Sequence, residues 1–224
     1  MPTIERDRRR ALAHVLWIGG PPDGGKTSIA QLLAQRHGLQ TYHFDRYEPD
    51  HFARADPERH PALHAVHPDR LDAEARWLGR SPEVMARETI ACWTERAVMA
   101  FDDLLVLPMT PRIIAEGPGF FPVTIAPLLD EPRRAVWLVP TERFKRASVA
   151  QRGKLAGVPV SDPARARENL IARDLLLGQT IEDGCRSLGL TLLRVDGTRD
   201  LAAMAERVAA HFGPFLESPG WAGR

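Results

Sequence analysis

Cysteine is nearly missing from this sequence: only Cys92 and Cys185 occur, far apart in a chain of 224 residues. That spacing excludes a disulfide framework and the paired-cysteine ligand sets of zinc sites, so both are read as core or surface thiols. Lysine is almost as scarce, with Lys26, Lys145 and Lys154 alone among thirty basic residues, the rest being arginine. An excess of charge of one sign is also lacking. Thirty basic residues against twenty-nine acidic ones leave a net charge of +1, too little for the electrostatic footprint of a dedicated nucleic-acid binder. No apolar run approaches the ~20 residues that span a bilayer. The charged opening MPTIERDRRR is followed by no apolar stretch with a small-residue cleavage site, so a cytoplasmic protein is expected. Repeats and low-complexity blocks are absent. What remains, 44% hydrophobic and 26% charged residues, is the composition of an ordinary folded chain, and its length suits one core domain carrying an insertion.

Short apolar strands alternate with helical patterns. His14 to Ile18 reads as a buried parallel strand, followed by a glycine-rich turn and a helix from Thr27 that stops near Gly38. Leu39 to Phe44 is a second strand, Arg112 to Glu116 a third, Ala135 to Val139 a fourth and Leu190 to Val195 a fifth. Ser81-Pro82-Glu83 is a helix-start signal, and Ile90, Trp93, Ala97, Phe101 and Leu104 then share one face of a helix expected to reach Leu107. Parallel neighbours need crossover connections, so the pattern predicts an α/β fold with a mostly parallel sheet. The stretch 46–80, rich in Pro, His, Asp and Arg without a clear period, reads as a partly helical insertion.

Gly20-Pro21-Pro22-Asp23-Gly24-Gly25-Lys26-Thr27 matches G-x-x-x-x-G-K-[ST] in full, with a strand before it and a helix after it. Glycines let backbone N–H groups close round phosphate oxygens, and the helix N-terminus adds its positive dipole end. Lys26 supplies a mobile cation for the β and γ phosphates, and the Thr27 hydroxyl is a hard ligand for Mg²⁺. The cofactor-binding set is therefore Gly20, Asp23, Gly24, Gly25, Lys26, Thr27 and Ser28, with ATP and Mg²⁺ as the groups bound. Asp45, at the end of the second strand in FDRY, stands on the sheet edge where ligands collect. It is the leading candidate for catalytic base, with a helix cap or an ion pair to Arg46 as the plainer reading; Asp50 is a weaker candidate. Glu116 ends the third strand, where it can serve as metal shell or as base, both being open.

Through this phosphate motif the chain resembles P-loop NTPases, and its length and strand order look like the small-molecule and nucleoside or nucleotide kinases among them, such as the uridine, shikimate, gluconate and chloramphenicol kinase types. The resemblance spans most of residues 14–212 and is specific at Gly20 to Thr27. It implies a three-layer α/β/α fold with five parallel strands in the order 2-3-1-4-5, flanked by an extension over 1–13 and a tail over 213–224. It also implies a lid over 141–160 whose arginines, here Arg143, Arg146 and Arg152, neutralise the transferring phosphoryl group, although a solvated basic face gives the same pattern. The insertion would cover the acceptor, and Asp196-Gly197-Thr198-Arg199 would pack on adenine. The N-K-x-D string of Ras-like GTPases and the L-S-G-G-Q string of ABC ATPases do not occur.

The expected activity is transfer of the ATP γ-phosphoryl group to a hydroxyl or phosphate of a small molecule, without membrane or nucleic-acid partners. A regulatory ATPase acting through a protein partner is the alternative. His51, His60, His64 and His67 in the insertion, with His60 and His64 four apart, lack a completing Cys or Glu and are not expected to bind metal. Tyr47, Trp77 and Trp93 offer faces for a planar acceptor, Trp93 being better suited to the core.

Overall fold

The computed structural model describes residues 3–67 and 69–216; residues 217–224 of the expected tail lie outside it. Helix α1 (Thr3–Ala11) precedes β1 (Val15–Gly19), α2 (Lys26–His37) and β2 (Gln40–His43). A 3-10 segment (Phe44–Tyr47) leads into α3 (Glu48–Ala53), and the short helices α4 (Pro61–Ala65) and α5 (Ala73–Trp77) lie in the stretch expected as an insertion. The long helix α6 (Pro82–Leu105), β3 (Ile113–Glu116), α7 (Pro122–Ile125) and β4 (Ala135–Pro140) follow. Helices α8 (Glu142–Gln151) and α9 (Pro163–Leu188), strand β5 (Leu192–Val195) and α10 (Leu201–Phe212) close the order.

All five strands run parallel, as the sequence pattern leads one to expect, and in the order β2-β3-β1-β4-β5 that the resemblance implies. Side chains alternate across a strand, so each strand feeds two cores. Val15, Trp17, Ile113, Ala115 and Trp137 face α6 and α9, meeting Ala97, Phe101, Leu104, Leu177 and Ile181. Leu16, Ile18, Ile114, Val136 and Leu138 face α2 and α10, meeting Ile29, Leu33, Met204, Val208 and Phe212. Both faces are covered, which is why the strands read as unbroken apolar runs. Trp137, fully buried, satisfies its indole by donating to the Phe120 carbonyl at 2.8 Å.

Caps set the helix ends that the sequence announces. The Ser81 hydroxyl accepts from Val84 N at 3.4 Å with Pro82 in the first turn, and α6 ends at Leu105, two residues short of the expected Leu107. Gly38 and Gly189 end α2 and α9 in left-handed conformation. Two smaller cores lie off the sheet: Leu63, Cys92 and Met99 hold the insertion on α6, and Val149, Leu170 and Ile171 hold α8 on α9. No described helix is long and apolar enough to cross a membrane.

Candidate active site

The phosphate loop is shaped by close approach to β4. A Cβ on Gly20 would stand 2.1 Å from the Leu138 carbonyl oxygen, and one on Gly24 2.8 Å from it, so neither position has room for a side chain. Gly20 and Gly25 hold φ of 130° and 77°, and Asp23, unusually for a residue with a side chain, holds 75°. No side chain caps the start of α2, leaving its first N–H groups for a bound anion. The Lys26 ammonium lies over the loop and donates to the Pro21 carbonyl at 2.8 Å. Burial pushes its pKa below the ordinary lysine value, against the opposing pull of Glu116, Asp45 and Asp23.

In front of the loop is a cleft of about 190 Å³ whose walls include Lys26, Thr27, Ser28, Asp45, Glu116, Arg152 and Lys154. Sheet register assembles part of it. Ile18, Glu116 and His43 are aligned on β1, β3 and β2 at the C-terminal edge, so His43 Nδ1 donates to Glu116 Oε1 at 2.8 Å. The Thr27 hydroxyl donates to the same oxygen at 3.0 Å. Thr27 and Glu116 thus offer two hard oxygens side by side, a donor set that fits Mg²⁺, with His43 orienting the carboxylate. Asp45 projects from the 3-10 turn after β2. It is solvent-accessible within the cleft, yet loss of bulk solvation raises its carboxyl pKa above the ordinary carboxylate value; Lys26 and Arg96 pull it back down.

Asp23 points toward α8 and the residues that follow it. Its buried carboxylate accepts from Lys145 at 2.5 Å and from Lys154 at 2.9 Å, with Arg152 at 3.4 Å. Burial works to raise its pKa, but the two lysine hydrogen bonds outweigh that and hold it below the ordinary value. Lys145, itself buried, also bonds Asp174 of α9, whose other oxygen is gripped by Arg173. An acid inside the glycine-rich loop is thereby neutralised by cations of the segment 145–154.

Of the three arginines expected in the lid, only Arg152 lines the cleft. Arg146 is held on the surface by Glu142 and Glu168, both at 2.8 Å, because α8 turns its Lys145 and Val149 face inward and leaves Arg146 outside. Arg143 is exposed on the same helix and does not line the cleft. No ion pair joins Asp45 to Arg46 among the described residues. Asp50 pairs with Arg54 at 2.8 Å and stands outside the cleft. The loop after β5 folds on itself, Asp196 accepting from the Thr198 amide at 2.9 Å, and Gly197 lies against the Phe144 ring. His60 and His64 do not converge on a ligand set. Among the described residues the one His and acid cluster is Asp50, His51 and Asp103, and the Arg54 guanidinium already bridges its two carboxylates. Tyr47 stacks on Tyr42 at 4.4 Å, and Trp93 packs near Phe121.

Residues that the sequence reading missed are Lys154, Lys145, His43 and Arg96. Arg96, fully buried on α6, donates to the Phe44 carbonyl at 3.0 Å and to Glu48 at 2.6 Å, and its guanidinium lies 4.2 Å over the Phe44 ring. It therefore clamps the turn that carries Asp45 from both sides.

No family model matches the chain, and no curated protein matches it in sequence. Among solved structures the chain is similar to the shikimate kinase from Acinetobacter baumannii in complex with shikimate, with 16% identity, coverage of 87% of this chain and 89% of that one, and a TM-score of 0.46. Strand order and helix layers give the chain a three-layer α/β/α fold with five parallel strands in the order 2-3-1-4-5, the glycine-rich loop standing between β1 and α2.

Proposed function

We propose that this protein is an ATP-dependent phosphotransferase that moves the γ-phosphoryl group to a hydroxyl of a small-molecule acceptor. The observation that carries the reading is the convergence, in one cleft, of a complete phosphate loop, the Thr27 and Glu116 oxygen pair and the Asp45 carboxylate. Loop N–H groups and Lys26 hold the β and γ phosphates, an arrival that also returns to Lys26 the counter-charge its burial lacks. Thr27 and Glu116 would hold Mg²⁺, which when bound spreads the developing charge on the phosphates. Asp45 orients the acceptor hydroxyl and takes its proton as the acceptor oxygen bonds to the γ-phosphorus. The bond from that phosphorus to the bridging oxygen breaks, and ADP leaves with the electron pair. Arg152 and Lys154 face the same charge from the lid side.

The test is a metabolite library incubated with Mg-ATP and read by mass for gain of one phosphate. Lys26→Ala, lacking the loop's flexible cation, is expected to lower transfer at least ~100-fold, about 2.7 kcal/mol in the barrier. Turnover near wild type in the folded variant would remove the reading. Steady ATP hydrolysis indifferent to every hydroxyl compound would favour a regulatory ATPase instead.

A further inference from the structure

A second cleft, of about 160 Å³, opens where the insertion meets α6 and α9. It adjoins the phosphate cleft through a single turn of chain, since Asp45 lines one and Glu48, three residues on, lines the other. Its floor is apolar, built from Phe52, Val66, Leu71, Met85 and Trp93. Cys92 belongs to that floor as well, because burial pushes its thiol pKa up to about 12 and keeps it uncharged.

Every charge on the polar wall but one has an ion-pair partner among the described residues. Arg80 faces Glu88 at 3.1 Å, Arg173 faces Asp174 at 2.7 Å while lying over the Trp77 ring, and Glu48 faces Arg96 at 2.6 Å. Arg76 donates only to the neutral Val66 carbonyl, at 3.2 Å, and among the described residues no carboxylate comes within ion-pair distance of it. A half-buried guanidinium beside an apolar floor is short of a counter-ion, and its planar fork matches a carboxylate. The floor, by contrast, gives hydroxyl groups no partners, so those of a polyol that are turned toward it, away from Thr89 and the charged wall, would stay unpaired.

We propose, resting on the phosphotransferase reading, that the acceptor is a small alcohol with an apolar body and one carboxylate, the carboxylate held by Arg76 and the hydroxyl presented toward Asp45. Sugars, sugar acids and other polyols are then poor acceptors.

Calorimetry with two matched pairs tests this: mandelate against mandelamide and hydroxymethylbenzoate against hydroxymethylbenzamide, with gluconate as the anionic polyol. The full-length protein is used as wild type, Arg76→Ala and Arg76→Lys. At least one acid is expected to bind ~10-fold or more tighter than its amide and than gluconate, a preference lost in Arg76→Ala and partly kept in Arg76→Lys. Amides or gluconate binding as tightly as the acids, no acid binding at all, or a preference that survives Arg76→Ala would overturn the proposal. A transfer assay with Mg-ATP separates the two readings. Preferential phosphorylation of gluconate sinks the carboxylate pocket and leaves the phosphotransferase intact. Arg76-dependent binding of an acid that is never phosphorylated, in a protein that phosphorylates no other compound, sinks the phosphotransferase.

Discussion

All three lysines of the chain end at the phosphate loop: Lys26 lines the cleft, and Lys145 and Lys154 both bond Asp23. Arginine serves every other cationic position, which fits the difference between a planar fork suited to ion pairs and a compact ammonium that fills a small buried site or follows a moving charge. Rarity of lysine was the available signal for Lys154, and the family resemblance pointed to Arg143, Arg146 and Arg152 instead. The structure separates these residues, and mutation should too. Lys154→Ala is expected to lower kcat ~100-fold with ATP affinity little changed, whereas Arg146→Ala, losing a surface pair, should shift stability by no more than about 1 kcal/mol and leave turnover alone. Equal kcat losses in both would show that α8 does not hold this orientation during turnover of the proposed reaction. Asp45 carries a pH signature. Its pKa is raised above the ordinary value by desolvation, so if Asp45 acts as the proposed base, kcat/KM should fall on the acid side through that ionisation. Asp45→Asn should be ~10² to 10⁴ fold slower with Mg-ATP binding retained and the acid limb gone; an unchanged acid limb would assign it to Glu116, to be assayed as Glu116→Gln.

Elements differ in how openly the sequence declares them. The five strands and α2 were legible because apolar runs of strand length and glycine stops are local signals, and the phosphate motif fixed the join between β1 and α2. The insertion was not, since α4 and α5 are five residues each and owe their place to contacts with α6 and α9 rather than to a periodic face. Arg96 was hidden for a related reason. A single arginine on the buried side of α6 looks like a break in the apolar stripe until the Phe44 carbonyl, Glu48 and His51 are brought to it by the turn after β2. Helix α6 thus reaches the candidate active site through one side chain. Arg96→Met keeps the length of the side chain but strands a buried carbonyl and a carboxylate, a loss of about 2 to 3 kcal/mol. Its kcat should drop more than its ATP affinity, with Arg96→Lys intermediate in both stability and rate. If Arg96→Met proves less stable with kcat unaltered, Arg96 supports the fold and not the position of Asp45.

At the scale of the whole molecule, buried ionisable groups set the response to acid. His14, His51 and His211 all have pKa values lowered chiefly by burial from the ordinary 6.5. The unfolded chain therefore takes up their protons first, and stability is present above that value and lost as pH falls below it. Asp23 and Asp103, held below the ordinary 3.8 by their partners despite burial, extend the same trend to lower pH; Asp45, raised, opposes it. Denaturant unfolding should give a higher stability at ~pH 7.5 than at ~pH 5.5, and a flat or inverted profile would contradict the burial of these histidines. The strand order has a different consequence, for the order of events during synthesis. β1 is flanked by β3 and β4, and β2 pairs with β3, so no strand pair can close until Ile113 and the residues after it have been made. The loop from Gly20 to Thr27 emerges early but takes its shape against Leu138. A nascent or truncated chain ending before β3 would carry the entire phosphate motif and bind no nucleotide with it, because the partner strands that shape the motif are still to come.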